Sequence, residues 1–242
     1  MSYLIGTGCY YTLDGKVKHG GVDRWGASPK THTADFFRLW YQYIEKYTNA
    51  KEIWITDAHS DVVPATRLQN TVPIVRYRRA NNLGHSMGWK DSVIKGAEYC
   101  MCKGYDYYVY IEQDCLVWGE DIIENCCKEM KKPLMFGDAD GLPWEIQQCF
   151  FIVKAYYLSE FIRINKESEV NPPEHLWHER FRDEFQYFSF KGGRQRTLDN
   201  KMGYVQHITE EELECFNRWE IPKKKSVDKE IGDTKIVPKD NK

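Results

Sequence analysis

Apolar and polar positions along this chain change period from one segment to the next. Residues 34–47, ADFFRLWYQYIEKY, carry apolar side chains at helical spacing and predict a helix packed on a sheet. Residues 107–111, YYVYI, have no polar alternation, so they predict a strand covered on both faces, as in a parallel sheet. Further strands are predicted at 2–11 (SYLIGTGCYY), 51–61 (KEIWITDAHSD), 72–78 (VPIVRYR), 133–139 (PLMFGDA) and 147–153 (QQCFFIV). Helical segments fall at 88–103, 121–130 and 155–164. PPEHLWHERFRDEF, residues 172–185, has prolines placed for another helix start. The polar stretch 14–33 predicts a long loop. Alternating strands and helices of these lengths imply one α/β domain, residues 1–221, with a mostly parallel sheet flanked by helices.

The doubly covered strand ends in Glu112-Gln113-Asp114. In open α/β sheets ligands bind outside the carboxyl ends of the strands. Two carboxylates one residue apart at such an edge repel each other and resist desolvation unless a cation sits with them; otherwise both simply face water. Composition narrows the partner. The 242 residues include 34 basic and 36 acidic ones, a formal net charge of −2, which excludes an electrostatic nucleic-acid binder and favours a small-molecule or glycan substrate. No window reaches the roughly 18 apolar residues of a membrane span, and the first residues lack a signal-peptide pattern, so a soluble cytoplasmic protein is expected. The eight cysteines include no C-x-x-C pair, which points to buried free thiols rather than disulfides or zinc. Cys115, beside the acids, is the one worth testing as a nucleophile.

Residues 79–115, RANNLGHSMGWKDSVIKGAEYCMCKGYDYYVYIEQDC, resemble the central block of GT-A-fold glycosyltransferases of the family-2 kind. Asn82 and Gly84 match that family's Asn-x-Gly, and Glu112 and Asp114 stand at its Asp-x-Asp. Two departures are plain: Trp89 and Lys90 replace a helical Arg-Asn pair, and Glu112 replaces the first aspartate. The resemblance implies a GT-A-like fold and sugar transfer from a nucleotide donor, UDP-, GDP- or dTDP-linked, to a hydroxyl of a glycan or other acceptor, with inversion. It also implies a donor site that includes Asp57 and Asp61 near the base, together with Lys90 and Gln113. His207, in GYVQHIT, resembles a late histidine that adds a metal ligand in some members; a core histidine is the alternative.

A departing nucleoside diphosphate develops negative charge that a cation held by carboxylates can neutralise, which makes Asp114 the first candidate ligand for Mg²⁺ or Mn²⁺, with Glu112 and His207 beside it. In the resembled family the general base is a carboxylate at the start of a late helix, six residues before an arginine. Glu174 with Arg180 has that spacing, and a helix-dipole charge is the competing account of Glu174. His175 and His178, one turn apart, lack the H-E-x-x-H order of zinc hydrolases. FKGGRQR sets Lys191, Arg194 and Arg196 beside glycines, suited to a loop over a diphosphate. Asp138, Asp140 and Trp144 follow the next strand and suit sugar hydroxyls and a ring face. Tyr10 and Tyr11, past the first strand, are candidates to stack on the base. Two other classes stay open: a sugar-nucleotide nucleotidyltransferase, and a carbohydrate-binding protein without activity.

Residues 222–242, PKKKSVDKEIGDTKIVPKDNK, are mostly charged and offer little apolar surface to offset the entropy of folding. They predict a flexible extension, solvated or in weak contact with an anionic membrane surface. Truncation after Ile221 is expected to leave the melting temperature unchanged; a large drop on thermal denaturation would show that the tail docks on the domain.

Overall fold

The structure, a computed structural model, describes residues 1–15, 27–62, 75–139, 146–167, 173–193 and 201–220. The first half alternates strand and helix. It runs β1 (Tyr3–Cys9), α1 (Ala34–Tyr47), β2 (Glu52–Asp57), β3 (Val75–Arg79), α2 (His85–Lys103) and β4 (Tyr107–Ile111). The second half is less regular: β5 (Leu116–Trp118), α3 (Ile122–Glu129), β6 (Leu134–Asp138), β7 (Ile146–Lys154), α4 (Leu158–Glu167), α5 (Pro173–Arg180), β8 (Phe185–Tyr187), β9 (Gly203–Val205) and α6 (Glu210–Asn217). Residues 34–47 and 107–111 form the helix and strand expected of them.

Among the described residues the main sheet has seven strands in the order β3-β2-β1-β4-β7-β6-β8. Every neighbouring pair is parallel except those involving β7, which runs against both β4 and β6. Side chains of β4 alternate between two cores. Val109 and Ile111 join the layer built by α1, α3 and the small β5–β9 sheet, while Tyr108 and Tyr110 join the layer built by α2, α4 and α5. Both faces of the strand are covered, which is why its sequence shows no polar alternation.

Local signals set the helix ends. Thr33 Oγ1 accepts the Phe36 N–H at the start of α1. Gly104, at φ 70°, closes α2 in the left-handed conformation that glycine adopts without a side-chain clash. At α6, Thr209 and Glu212 form a reciprocal capping box, with the Thr209 N–H donating to Glu212 Oε2 at 2.8 Å.

Three differences from the sequence expectation have tertiary causes. The helix foreseen over 172–185 ends at Arg180, because Phe185–Tyr187 pair with the edge of β6. β5 and β9 form a separate two-stranded antiparallel sheet, with Leu116 opposite Val205 and Trp118 opposite Gly203. Each is three residues long, too short for a readable period. Within the foreseen 14–33 loop, Pro29–His32 make a turn of 3₁₀ helix; residues 16–26 lie outside the described residues, as does the 222–242 tail.

Gly137 sits where β6 shifts register against β7, and the Tyr204 ring from β9 packs on it so closely that a Cβ at 137 would overlap the Tyr204 hydroxyl. That hydroxyl is buried with no hydrogen-bond partner among the described residues. Gly137→Ala is therefore expected to destabilise the fold by about 1–3 kcal/mol through overpacking. Tyr204→Phe in the same chain should recover part of the loss, because the most obstructive atom is gone. Urea unfolding of the single and double variants measures this; additive losses would show that the two residues do not share the space.

Candidate active site at the carboxyl edge of the sheet

Parallel register brings the ends of β1, β2 and β4 side by side: Cys9 pairs with Asp57, and Gly6 with Tyr110. The chain leaves β1 toward β2 on one side and reaches β4 on the other, so strand order reverses between β1 and β4. A crevice opens at such a reversal. The chain leaves β4 into it through a turn closed by the Cys115 N–H on the Glu112 carbonyl at 3.0 Å.

This turn holds the acids tightly. Glu112 is 9 % exposed and Asp114 8 %, so neither simply faces water. The Glu112 N–H donates to the Cys149 carbonyl at 2.8 Å, and its own carbonyl accepts from Trp40 Nε1 at 3.1 Å, so β7 and α1 both clamp it. Between the carboxylates lies Gln206, whose Nε2 donates to Glu112 Oε2 and, at 3.2 Å, to Asp114 Oδ1. His207 follows, its Nδ1 3.7 Å from Asp114 Oδ2, on a backbone at φ 56°. Sequence reasoning found His207 and missed Gln206. The available signal was an amide interrupting the apolar run before His207, just past a strand too short to read.

Gln113 looks the other way. Its Oε1 accepts the Tyr10 N–H at 2.7 Å and its Nε2 bonds His32 Nδ1 at 2.8 Å, so its amide stitches the end of β1 to the Pro29–His32 turn. Tyr10 is partly exposed beside this seam. Tyr11 corrects the expectation of a base-stacking ring: it is fully buried, edge-on to Phe37 at 5.5 Å.

Asp57 is likewise an internal brace. At 1 % exposure it accepts from the Ser60 N–H at 2.9 Å, from the Ser60 hydroxyl and from Tyr77. These bonds hold His59 in the left-handed region at φ 67°, and Ser60 in turn accepts the Tyr11 N–H at 2.8 Å. Asp61 is exposed, four residues after Asp57.

The remaining candidates stand on neighbouring elements. Asn82 Oδ1 accepts the Gly84 N–H at 3.0 Å ahead of α2, and Lys90 is partly buried within that helix. Asp138 ends β6, its carbonyl bonded by Gln147 Nε2, which also reaches the Gly192 carbonyl at 3.2 Å. Gln147 thus ties the Lys191–Gly193 segment to the carboxyl edge. Glu174, 3 % exposed, is in the first turn of α5. That helix leads through four residues to the start of β8, which pairs with the start of β6, so its first turn points toward the carboxyl edge. Trp177, one turn on, packs against Trp89 of α2 at 5.4 Å. Asp140, Trp144, Arg194 and Arg196 lie outside the described residues.

Among the described residues no three His, Cys, Asp or Glu side chains gather into a metal cluster, the His175–His178 pair included. All eight cysteines are free. Cys115 is fully buried, and burial pushes its thiol well above the ordinary range, which removes the thiolate a nucleophile needs. No helix among the described residues is long and apolar enough to cross a membrane.

No protein-family model matches the chain, and no curated protein matches it in sequence. Solved structures do resemble it. HddC from Yersinia pseudotuberculosis aligns over 91 % of this chain and 100 % of its own at 12 % identity, with a TM-score of 0.57. Residues 1–349 of S. aureus TarS, in complex with UDP, align over 85 % of this chain and 60 % of TarS at 9 % identity and a TM-score of 0.51. The glycosyltransferase GlyE of Streptococcus pneumoniae TIGR4 aligns at 9 % identity and a TM-score of 0.49, over 78 % of this chain and 46 % of GlyE. The chain thus spans about half to three fifths of GlyE and TarS and the whole of HddC. The fold is of the GT-A type, a mostly parallel α/β sheet between helix layers.

The burial pattern predicts thiol reactivity. Cys102, exposed on α2, should react with an aromatic disulfide reagent at once, and Cys115 only on unfolding. Rapid modification of Cys115 in the native chain would show that the acid turn opens to solvent.

Proposed function

We propose that the chain is a glycosyltransferase that moves a sugar from a nucleoside diphosphate donor to an acceptor hydroxyl with inversion. The observation that carries this reading is the Glu112–Asp114 pair, buried at the strand-order reversal of a GT-A-type sheet. The fold likeness to TarS, solved with UDP, supports a nucleotide in the crevice.

The donor set at the crevice fits a hard divalent cation, Mn²⁺ or Mg²⁺. Asp114 Oδ2 and the His207 imidazole adjoin one another, and such ions keep water and phosphate oxygens in most positions, so one or two protein groups suffice. When bound, the cation would neutralise charge developing on the leaving diphosphate. Gln113, bonded to the Tyr10 N–H, and Tyr10 itself are proposed donor contacts, and Asp138, at the end of β6, is proposed to meet sugar hydroxyls. Lys90 and Asp61 are proposed donor contacts, with Arg194 and Arg196 on the basic loop. The acceptor oxygen attacks the anomeric carbon, the carbon–oxygen bond to the diphosphate breaks, and the acceptor proton passes to Glu174. Burial of Glu174 in the first turn of α5, facing the carboxyl edge, supports that role. The acceptor is proposed to be a glycan or glycoconjugate.

Donor hydrolysis without acceptor, measured across UDP-, GDP- and dTDP-sugars, tests the reading. Release of nucleoside diphosphate supports a transferase, release of pyrophosphate from nucleoside triphosphate and sugar phosphate would instead make it a nucleotidyltransferase, and binding without turnover would make it a carbohydrate-binding protein. Glu174→Gln keeps size but cannot take the proton, so turnover should fall by about 10²-fold or more while donor affinity by calorimetry stays within a few-fold. Normal turnover in that variant would end the assignment of the base.

A further inference from the structure

We propose that Gln206 is a positioning residue whose amide ties Glu112 to Asp114 and so leaves Asp114, with His207, as the pair that faces a divalent cation. The inference rests on the cation reading of the site above and names which of its residues meet the ion.

An amide nitrogen carries two N–H donors, and a carboxylate only accepts. Gln206 is 5 % exposed, and its Nε2 donates to both acids, reaching Glu112 Oε2 and Asp114 Oδ1. That leaves the second oxygen of Asp114, Oδ2, on the side of His207, whose Nδ1 is 3.7 Å away. Glu112 is held back in the turn by Trp40 on its carbonyl and by Cys149 on its N–H, as well as by the amide on its carboxylate.

The segment bearing Gln206 is pinned on both sides. Before it, β9 pairs with β5, and continuing that antiparallel register sets residue 206 opposite 115 and 207 opposite 114. After it, the Ser28 N–H donates to the Ile208 carbonyl at 2.7 Å, and Glu210 bonds the Ser28 hydroxyl and pairs with Lys30. The amide is therefore delivered to the acids by two independent attachments. A packing accident on a loose loop would have neither.

Mn²⁺ binding to the full-length chain, followed by electron paramagnetic resonance with and without UDP, tests this alongside thermal midpoints. Gln206→Leu keeps approximate size without donors, and it should weaken Mn²⁺ binding by about tenfold or more, in the range seen for groups that orient metal ligands. Asp114→Asn and His207→Ala should weaken it further, and Glu112→Gln less than either. Gln206→Glu places a third carboxylate between the two acids. Its midpoint should fall without metal, and Mn²⁺ should raise it by more than it raises the wild type. A purely structural Gln206 would lower the midpoint in both variants and leave Mn²⁺ affinity and the Mn²⁺-induced rise unchanged, which overturns the proposal while the cation reading stands. Equal losses in Glu112→Gln and Asp114→Asn would overturn it too. A wild-type chain that binds no Mn²⁺ in either condition overturns the cation reading and this role together, and donor hydrolysis then judges the transfer reading separately.

Discussion

Two carboxylates buried side by side at the end of a doubly covered strand repel each other, and much of the molecule around the crevice answers that repulsion. In a medium of reduced dielectric the interaction is stronger than in water, and desolvation adds to it. Hydrogen-bond donors must therefore be brought to Glu112 and Asp114 from elsewhere in the chain. The donor that arrives is Gln206, more than 90 residues later, carried at the end of a two-stranded sheet whose Tyr204 and Val205 also pack into the core. The capping box of α6 and the Ser28 contacts then hold the chain on the far side of that amide.

The same logic explains the polar residues that brace the rest of the edge. Asp57 accepts from Ser60 and Tyr77, and Gln113 joins Tyr10 to His32. Each satisfies backbone or side-chain groups that the strand ends leave without ladder partners. The β1 and β2 side of the edge is thus hydrogen-bonded within itself, through side chains that the sequence also offers as ligand contacts. Such preorganisation suits binding of a polar donor, because little ordering entropy remains to be lost when it enters.

Behind the edge, aromatic packing fixes the helices. Trp177 lies at 5.1 Å from Phe136 and 5.0 Å from Phe151, and reaches Trp89 on α2. This contact couples the helix bearing Glu174 to the helix that begins at the crevice. A side chain at 174 is therefore placed by packing three residues away from it, and the acid pair is placed by β4 and β9. The two chemical ends of the proposed reaction rest on different cores, one on each face of the sheet.

Much of this was determined locally. The unbroken apolar run of β4, the helical spacing of α1 and the acids after Ile111 are properties of contiguous residues, so fold class, sheet character and the address of the crevice could be read from the chain. The position of Glu112 and Asp114 at that edge was legible for the same reason, whereas His207 was raised by the family resemblance. Other assignments needed the tertiary structure. Tyr10 and Tyr11 are adjacent and chemically alike, just past the end of β1, and only packing against Phe37 shows which one is core. Asp57 reads as a donor contact, and the bonds that Tyr77 and Ser60 make to it appear only in the tertiary structure. Gln206 has no local pattern at all: its role exists only because a three-residue antiparallel pairing sets it opposite the acid turn, and contacts between residues so distant in sequence leave no period in the chain.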